Sequence, residues 1–137
     1  YRGDVTGSQK KYGFLMQAEN PDCDTVELYE APIDAMSGAT LRQYTDIRKW
    51  RSVHYLALGG LNYLTIDYFL QQHPQVKNVV LCFDRDEPGL RFAETVAQRL
   101  AERGFNVEKR LPAVGKDYNE SLVWYKSKIE KQRGERV

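Results

Sequence analysis

The sequence predicts an α/β protein: a three-layer open sheet of about four mainly parallel strands, helices on both faces, and a short N-terminal strand or hairpin. Three observations lead there. Short runs rich in β-branched and apolar residues recur at 25–29, 53–58, 79–83 and 105–110. Longer segments of helical period separate them, and alternation of this kind makes a parallel sheet. The 137 residues are 42% apolar, which suits one compact domain with a conventional core.

Each element has its own signal. Residues 1–20 are polar and punctuated by Gly3, Gly7 and Gly13, and Tyr12 to Met16 is an extended entry strand or half of a hairpin. Asn20-Pro21-Asp22 is a turn. The strand at 25–29 ends in Glu30, and Pro32 opens a helix running past Ile33, Ala35, Met36 and Ala39 towards Tyr44. The strand at 53–58 closes on Gly59-Gly60, and a helix from about Asn62 stops before Pro74. Five apolar residues at 79–83 form a strand buried on both faces. Pro88 opens the next helix, with Leu90, Ala93, Val96, Ala97, Leu100 and Ala101 as its apolar face and Gly104 just past its end. The strand at 105–110 is the more polar one and belongs near an edge. A last helix from about Tyr118 to Gln132 carries a basic tail. These signals divide the chain into a lead-in at 1–24 and a domain at 25–137.

Composition removes several function classes. Lys+Arg 20 against Asp+Glu 19 leaves a net charge of +1, which excludes a polybasic tail and an acidic disordered chain. It permits nucleic-acid binding, since a basic surface can be balanced by an acidic site. Cys23 and Cys82 lie far apart, which argues against a disulfide scaffold or a thiolate zinc site and for a reducing, cytoplasmic setting. No apolar run approaches a membrane span. The chain opens at Tyr1 without an initiator Met, and the expectation is a piece of a larger protein whose other domains are its partners.

Chemistry gathers at the predicted strand ends. Crossovers in such sheets are right-handed, so those ends share one edge, where ligands bind. The first strand ends in Glu30, the third in Asp84-Arg85-Asp86, and the fourth is followed by Gly115-Lys116-Asp117-Tyr118-Asn119-Glu120. The second presents the backbone of Gly59-Gly60. Carboxylates crowded together call for a cation, and Mg²⁺ takes oxygen ligands of this kind. Asp84 and Asp86 can converge on one ion. Glu30 joins them only if the first and third strands are neighbours. The bland reading of Asp86 is a cap for the helix at Pro88. Asp22-Cys23-Asp24 has the same spacing but precedes a strand and is a turn. Lys10, Lys11, Arg85 and Lys116 are candidate phosphate contacts. Trp50 and Trp124 could stack on bases, although packing is the commoner use.

The segment Glu30-Ala31-Pro32-Ile33-Asp34-Ala35 resembles the first motif of Toprim domains, in the branch found in primase and relaxase-type proteins of mobile elements. Asp84-Arg85-Asp86 with Gly89 resembles the second motif, Leu58-Gly59-Gly60 the glycine turn between them, and Gly115 to Glu120 the late Lys-Asp-x-Asn-Glu segment. The resemblance spans about residues 25 to 122. It implies a Mg²⁺-dependent domain, with Mn²⁺ as a substitute, that carries out nucleotidyl or phosphoryl transfer on DNA as primases do. Glu30 is then the acid/base residue or shares the ion, and Asp84 and Asp86 are its ligands. Lys116, Asp117, Arg85, Asp34, Gly59, Gly60 and Lys10 are expected around them. DNA or RNA and nucleoside triphosphates are the implied partners. A Toprim-type nuclease and a non-catalytic nucleic-acid-binding module are the alternatives. One departure is Arg85, where many primases carry Gly.

Overall fold

In the computed structural model, which describes residues 12–136, strands and helices alternate as the sequence predicts. The elements are β1 (Phe14–Met16), β2 (Thr25–Tyr29), α1 (Pro32–Thr45), β3 (His54–Ala57), α2 (Tyr63–Gln72), β4 (Asn78–Leu81), α3 (Glu87–Glu102), β5 (Asn106–Lys109) and α4 (Tyr118–Arg136). Lys10 and Lys11, and the glycines at 3 and 7, lie outside the described residues.

The sheet has five strands in the order β1-β3-β2-β4-β5. β2, β3, β4 and β5 are parallel, and β1 adds antiparallel to β3 at one edge. β5 forms the other edge, as its polar pattern requires. The central strand β2 pairs with β3 on one side and β4 on the other. The chain therefore moves one way from β2 to β3, then crosses back over β2 to reach β4. That reversal opens a crevice between the ends of β2 and β4, the position where such sheets take ligands. Glu30 and Asp84 follow those two ends.

Side chains alternate across the strands and build two cores. Val26, Leu28, Leu56, Val79 and Leu81 face α2 and α3, where Ile66, Phe69, Val96 and Leu100 complete the packing. Tyr29, Tyr55, Val80 and Cys82 face α1 and α4, against Ala35, Ala39 and Tyr118. The expected apolar face of α3 is narrower than its spacing suggests. Ala93, Val96 and Leu100 are buried, Ala97 is half-buried, and Leu90 and Ala101 are exposed. Leu90 stands in the first turn, beyond the end of the sheet. Ile33 and Met36 of α1 are exposed as well, because α1 packs through Asp34, Ala35, Ser37, Gly38 and Ala39.

One buried group has no apolar logic. Glu27, in the middle of β2, is 1% exposed. Its carboxylate pairs with Arg42 of α1 and with Arg110 beyond β5 at 3.0 Å, and it accepts the Tyr29 hydroxyl at 2.8 Å. The Tyr118 hydroxyl of α4 donates to the Arg110 carbonyl at 2.7 Å. This network ties β2, α1, α4 and the segment after β5 together beneath the crevice. No helix among the described residues is long and apolar enough to cross a membrane.

Candidate metal centre at the sheet edge

Each parallel strand is followed by a helix, so α1, α2, α3 and α4 all begin at the same edge of the sheet. The positive ends of four helix dipoles therefore lie at the edge that carries the carboxylates.

Glu30 is fixed from both ends. Its side-chain Oε2 accepts the Asp84 N–H at 2.8 Å. Its carbonyl oxygen accepts the N–H groups of Gly59 and Gly60 at 2.9 and 3.0 Å. Those glycines have φ of +72° and +118°, a conformation other residues rarely adopt. Their N–H groups are thus engaged in placing Glu30. Gly89 is needed for a different reason. A Cβ there would collide with the Asp84 carbonyl and crowd Asp86 and Glu30.

Asp86 engages both of its oxygens within the protein. Oδ1 accepts the Gly89 N–H at 2.8 Å and caps α3. Oδ2 lies 3.6 Å from the Lys116 ammonium. One carboxylate oxygen each from Asp34, Asp84 and Asp117 lies within 4.8 Å of the others. Asp34 is buried in the first turn of α1, and Asp84 and Asp117 are half-buried.

The trio is held by the protein around it. Asp34 Oδ1 accepts the Asn119 N–H at 3.2 Å. Asp117 Oδ1 accepts the Glu120 N–H at 2.8 Å, in the first turn of α4. Arg85 is bound to the neighbouring loop: its N–H donates to the Lys116 carbonyl at 2.6 Å, and its guanidinium donates to the Pro112 carbonyl. Arg85 is thereby a clamp on the loop carrying Lys116 and Asp117.

Crowding shows in the protonation equilibria. Burial, with Glu30, Asp117 and Asp86 nearby, pushes the Asp84 carboxyl up to about 7. Burial pushes Asp34 up to about 6, against the Asn119 N–H that pulls it down, with Asp117 and Asp84 adding to the rise. Glu30 is raised mainly by burial, the Asp84 N–H opposing. Carboxylates held up by burial and by one another are poised for a cation, and three hard oxygen donors from separate elements fit Mg²⁺ or Mn²⁺.

The family resemblance implies Asp84, Asp86 and Glu30 as ligands, with Asp34 and Asp117 expected around them. Glu30 and Asp84 do meet, but the signal for Asp34 lay in its position four residues after Glu30. Asp34 is the third residue of α1, in its first turn, and so stays at the edge where that helix begins.

Comparison with known proteins came to the same fold. A family model described as Toprim-like matches residues 27–122. Among solved structures, the crystal structure of the Aquifex aeolicus primase, with its zinc-binding and RNA polymerase domains, is similar at a TM-score of 0.51 and 19% identity. The match covers 80% of this chain, which spans only 25% of that one. A second Aquifex aeolicus protein is similar at a TM-score of 0.44 and 23% identity, over 64% of this chain and 70% of that one. No curated protein matches the chain.

Proposed function

The chain belongs to the Toprim-like family, and from that premise we propose that it is a Mg²⁺-dependent nucleic-acid-processing domain of primase type, joining nucleotides on a DNA template. The observation that carries the reading is the convergence of Asp34, Asp84 and Asp117 in the switch-point crevice. These three residues would hold the ion, which when bound neutralises phosphate charge and orients the reacting oxygens. Glu30 stands beside Asp84 and serves as the proton acceptor or donor at the attacking or leaving oxygen. Burial raises its pKa above the ordinary carboxylate value, the direction that favours holding a proton for transfer. The four helix N-termini at this edge attract phosphate oxygens. The similarity of fold to a primase favours bond formation over cleavage. Nucleic acid and nucleoside triphosphates are then the substrates, and the chain works beside other domains of its parent protein.

The test pairs binding with activity. Mn²⁺ titration followed by electron paramagnetic resonance should give saturable binding that Asp84→Asn weakens at least tenfold. Primer synthesis on single-stranded DNA with nucleoside triphosphates should be lost in Glu30→Gln while Mn²⁺ still binds. Metal-dependent cleavage without synthesis would replace the primase reading with the nuclease one. An Asp84→Asn variant that binds Mn²⁺ like the wild type would remove the proposed site.

A further inference from the structure

Lys116 stands out because its backbone is held at both polar groups. The Arg85 N–H donates to its carbonyl at 2.6 Å, and its own N–H donates to Glu120 Oε1 at 2.7 Å. The preceding Gly115 has φ of +78°, and a Cβ there would collide with the Glu120 side chain, so the turn requires glycine. From that fixed base the side chain reaches across the chain's late loop to Asp86, which caps α3. Asp86 is the first charge acting on the ammonium, followed by Asp84 and Asp117.

An exposed ion pair at 3.6 Å stabilises a fold very little, and the side chain of Lys116 is 54% exposed. Its interest lies in what it excludes. Asp86 and Asp84, two residues apart at a strand exit, would otherwise offer a pair of carboxylates to a second cation. Asp84 already belongs to the trio with Asp34 and Asp117, whose carboxylate oxygens lie within 4.8 Å of one another.

We propose that Lys116 is a built-in second cation: its ammonium occupies the place beside Asp86 that a second divalent ion would take, and so makes this a one-ion site. The proposal rests on the metal-binding reading above. Two-metal phosphoryl-transfer sites clamp an in-line displacement with ions about 3.5–4 Å apart. Here a lysine stands in for one member of the pair, as a compact point charge that needs no coordination shell. Lys116 is accordingly a residue that sets ion number, and a phosphate entering the crevice would meet one exchangeable ion and one permanent charge.

Counting bound Mn²⁺ tests this without any activity assay. Electron paramagnetic resonance of free Mn²⁺, checked by calorimetry, should give one ion per wild-type chain. Lys116→Ala frees Asp86 and should bind two, while Lys116→Arg keeps the charge and should bind one. Circular dichroism confirms that each variant is folded. Two ions in the wild type, or one ion in Lys116→Ala, overturns the inference and leaves the metal site standing. No ion in the wild type overturns the metal reading, and this inference with it.

Discussion

Asp84 and Asp34 carry carboxyls raised to about 7 and about 6, above the usual aspartate value. The unfolded chain releases those protons near pH 4, while the folded chain keeps them to higher pH. Folding therefore takes up protons between the two values, and stability without metal falls as pH rises from about 4 to about 7. Thermal melts of metal-free protein should show a lower Tm at pH 7.5 than at pH 5, and Mg²⁺ should restore it at the higher pH. A Tm that rises over that range would place the charges differently. Gly89 belongs to the same scale. Ala is ordinarily the better helix former by about 1 kcal/mol. Here its methyl meets a backbone carbonyl, a collision that outweighs the propensity. Gly89→Ala should lower stability by about 1–3 kcal/mol in urea melts, in the range of overpacking. It should also weaken Mn²⁺ binding, since the displaced carbonyl belongs to Asp84.

Elements were legible in the sequence to the extent that one signal set each of them. β4 and α3 stood out because a run of five apolar residues and a Pro-opened amphipathic segment each have one reading. The ends of α1 and α3 were legible from Pro32, Pro88 and Gly104. The packing of α1 was not. Ile33 and Met36 stay exposed, and the helix approaches the sheet through alanines, Ser37 and Gly38, where the Tyr29 ring lies too close for a larger residue. The loop from Pro112 to Asp117 was the hardest part, because its path depends on Arg85, a residue in a different strand exit. Arg85→Ala should leave the sheet intact and free this loop. The expected outcome is faster amide exchange across residues 112–117 and a Mn²⁺ affinity reduced several-fold, with little change in Tm.

At the scale of the molecule, the strand order is what the local signals implied only indirectly. The charges at the first and third strand exits made sense together only if those strands were neighbours, and β2 lies beside β4. The Glu27 network escaped notice because an isolated Glu in a strand looks like a solvent-facing alternation. It is buried since Arg42 and Arg110 reach it from either side. Removing a buried partner of charged groups costs more than the pair itself stabilises. Both arginines keep some exposure, so Glu27→Gln should destabilise the chain by about 2–3 kcal/mol in urea unfolding, in the range of hydrogen bonds to charged groups. An unchanged midpoint would show that the arginines hydrate instead.

The central claim is that the crevice between β2 and β4 holds a divalent ion on Asp34, Asp84 and Asp117. Crystals grown with Mn²⁺ and measured for anomalous scattering test it most directly. The account predicts one peak within about 2.0–2.5 Å of an oxygen of each of those three residues, close to ordinary metal–oxygen distances. A peak between Asp84 and Asp86 with Asp34 and Asp117 unligated, or no peak at the sheet edge, would contradict it.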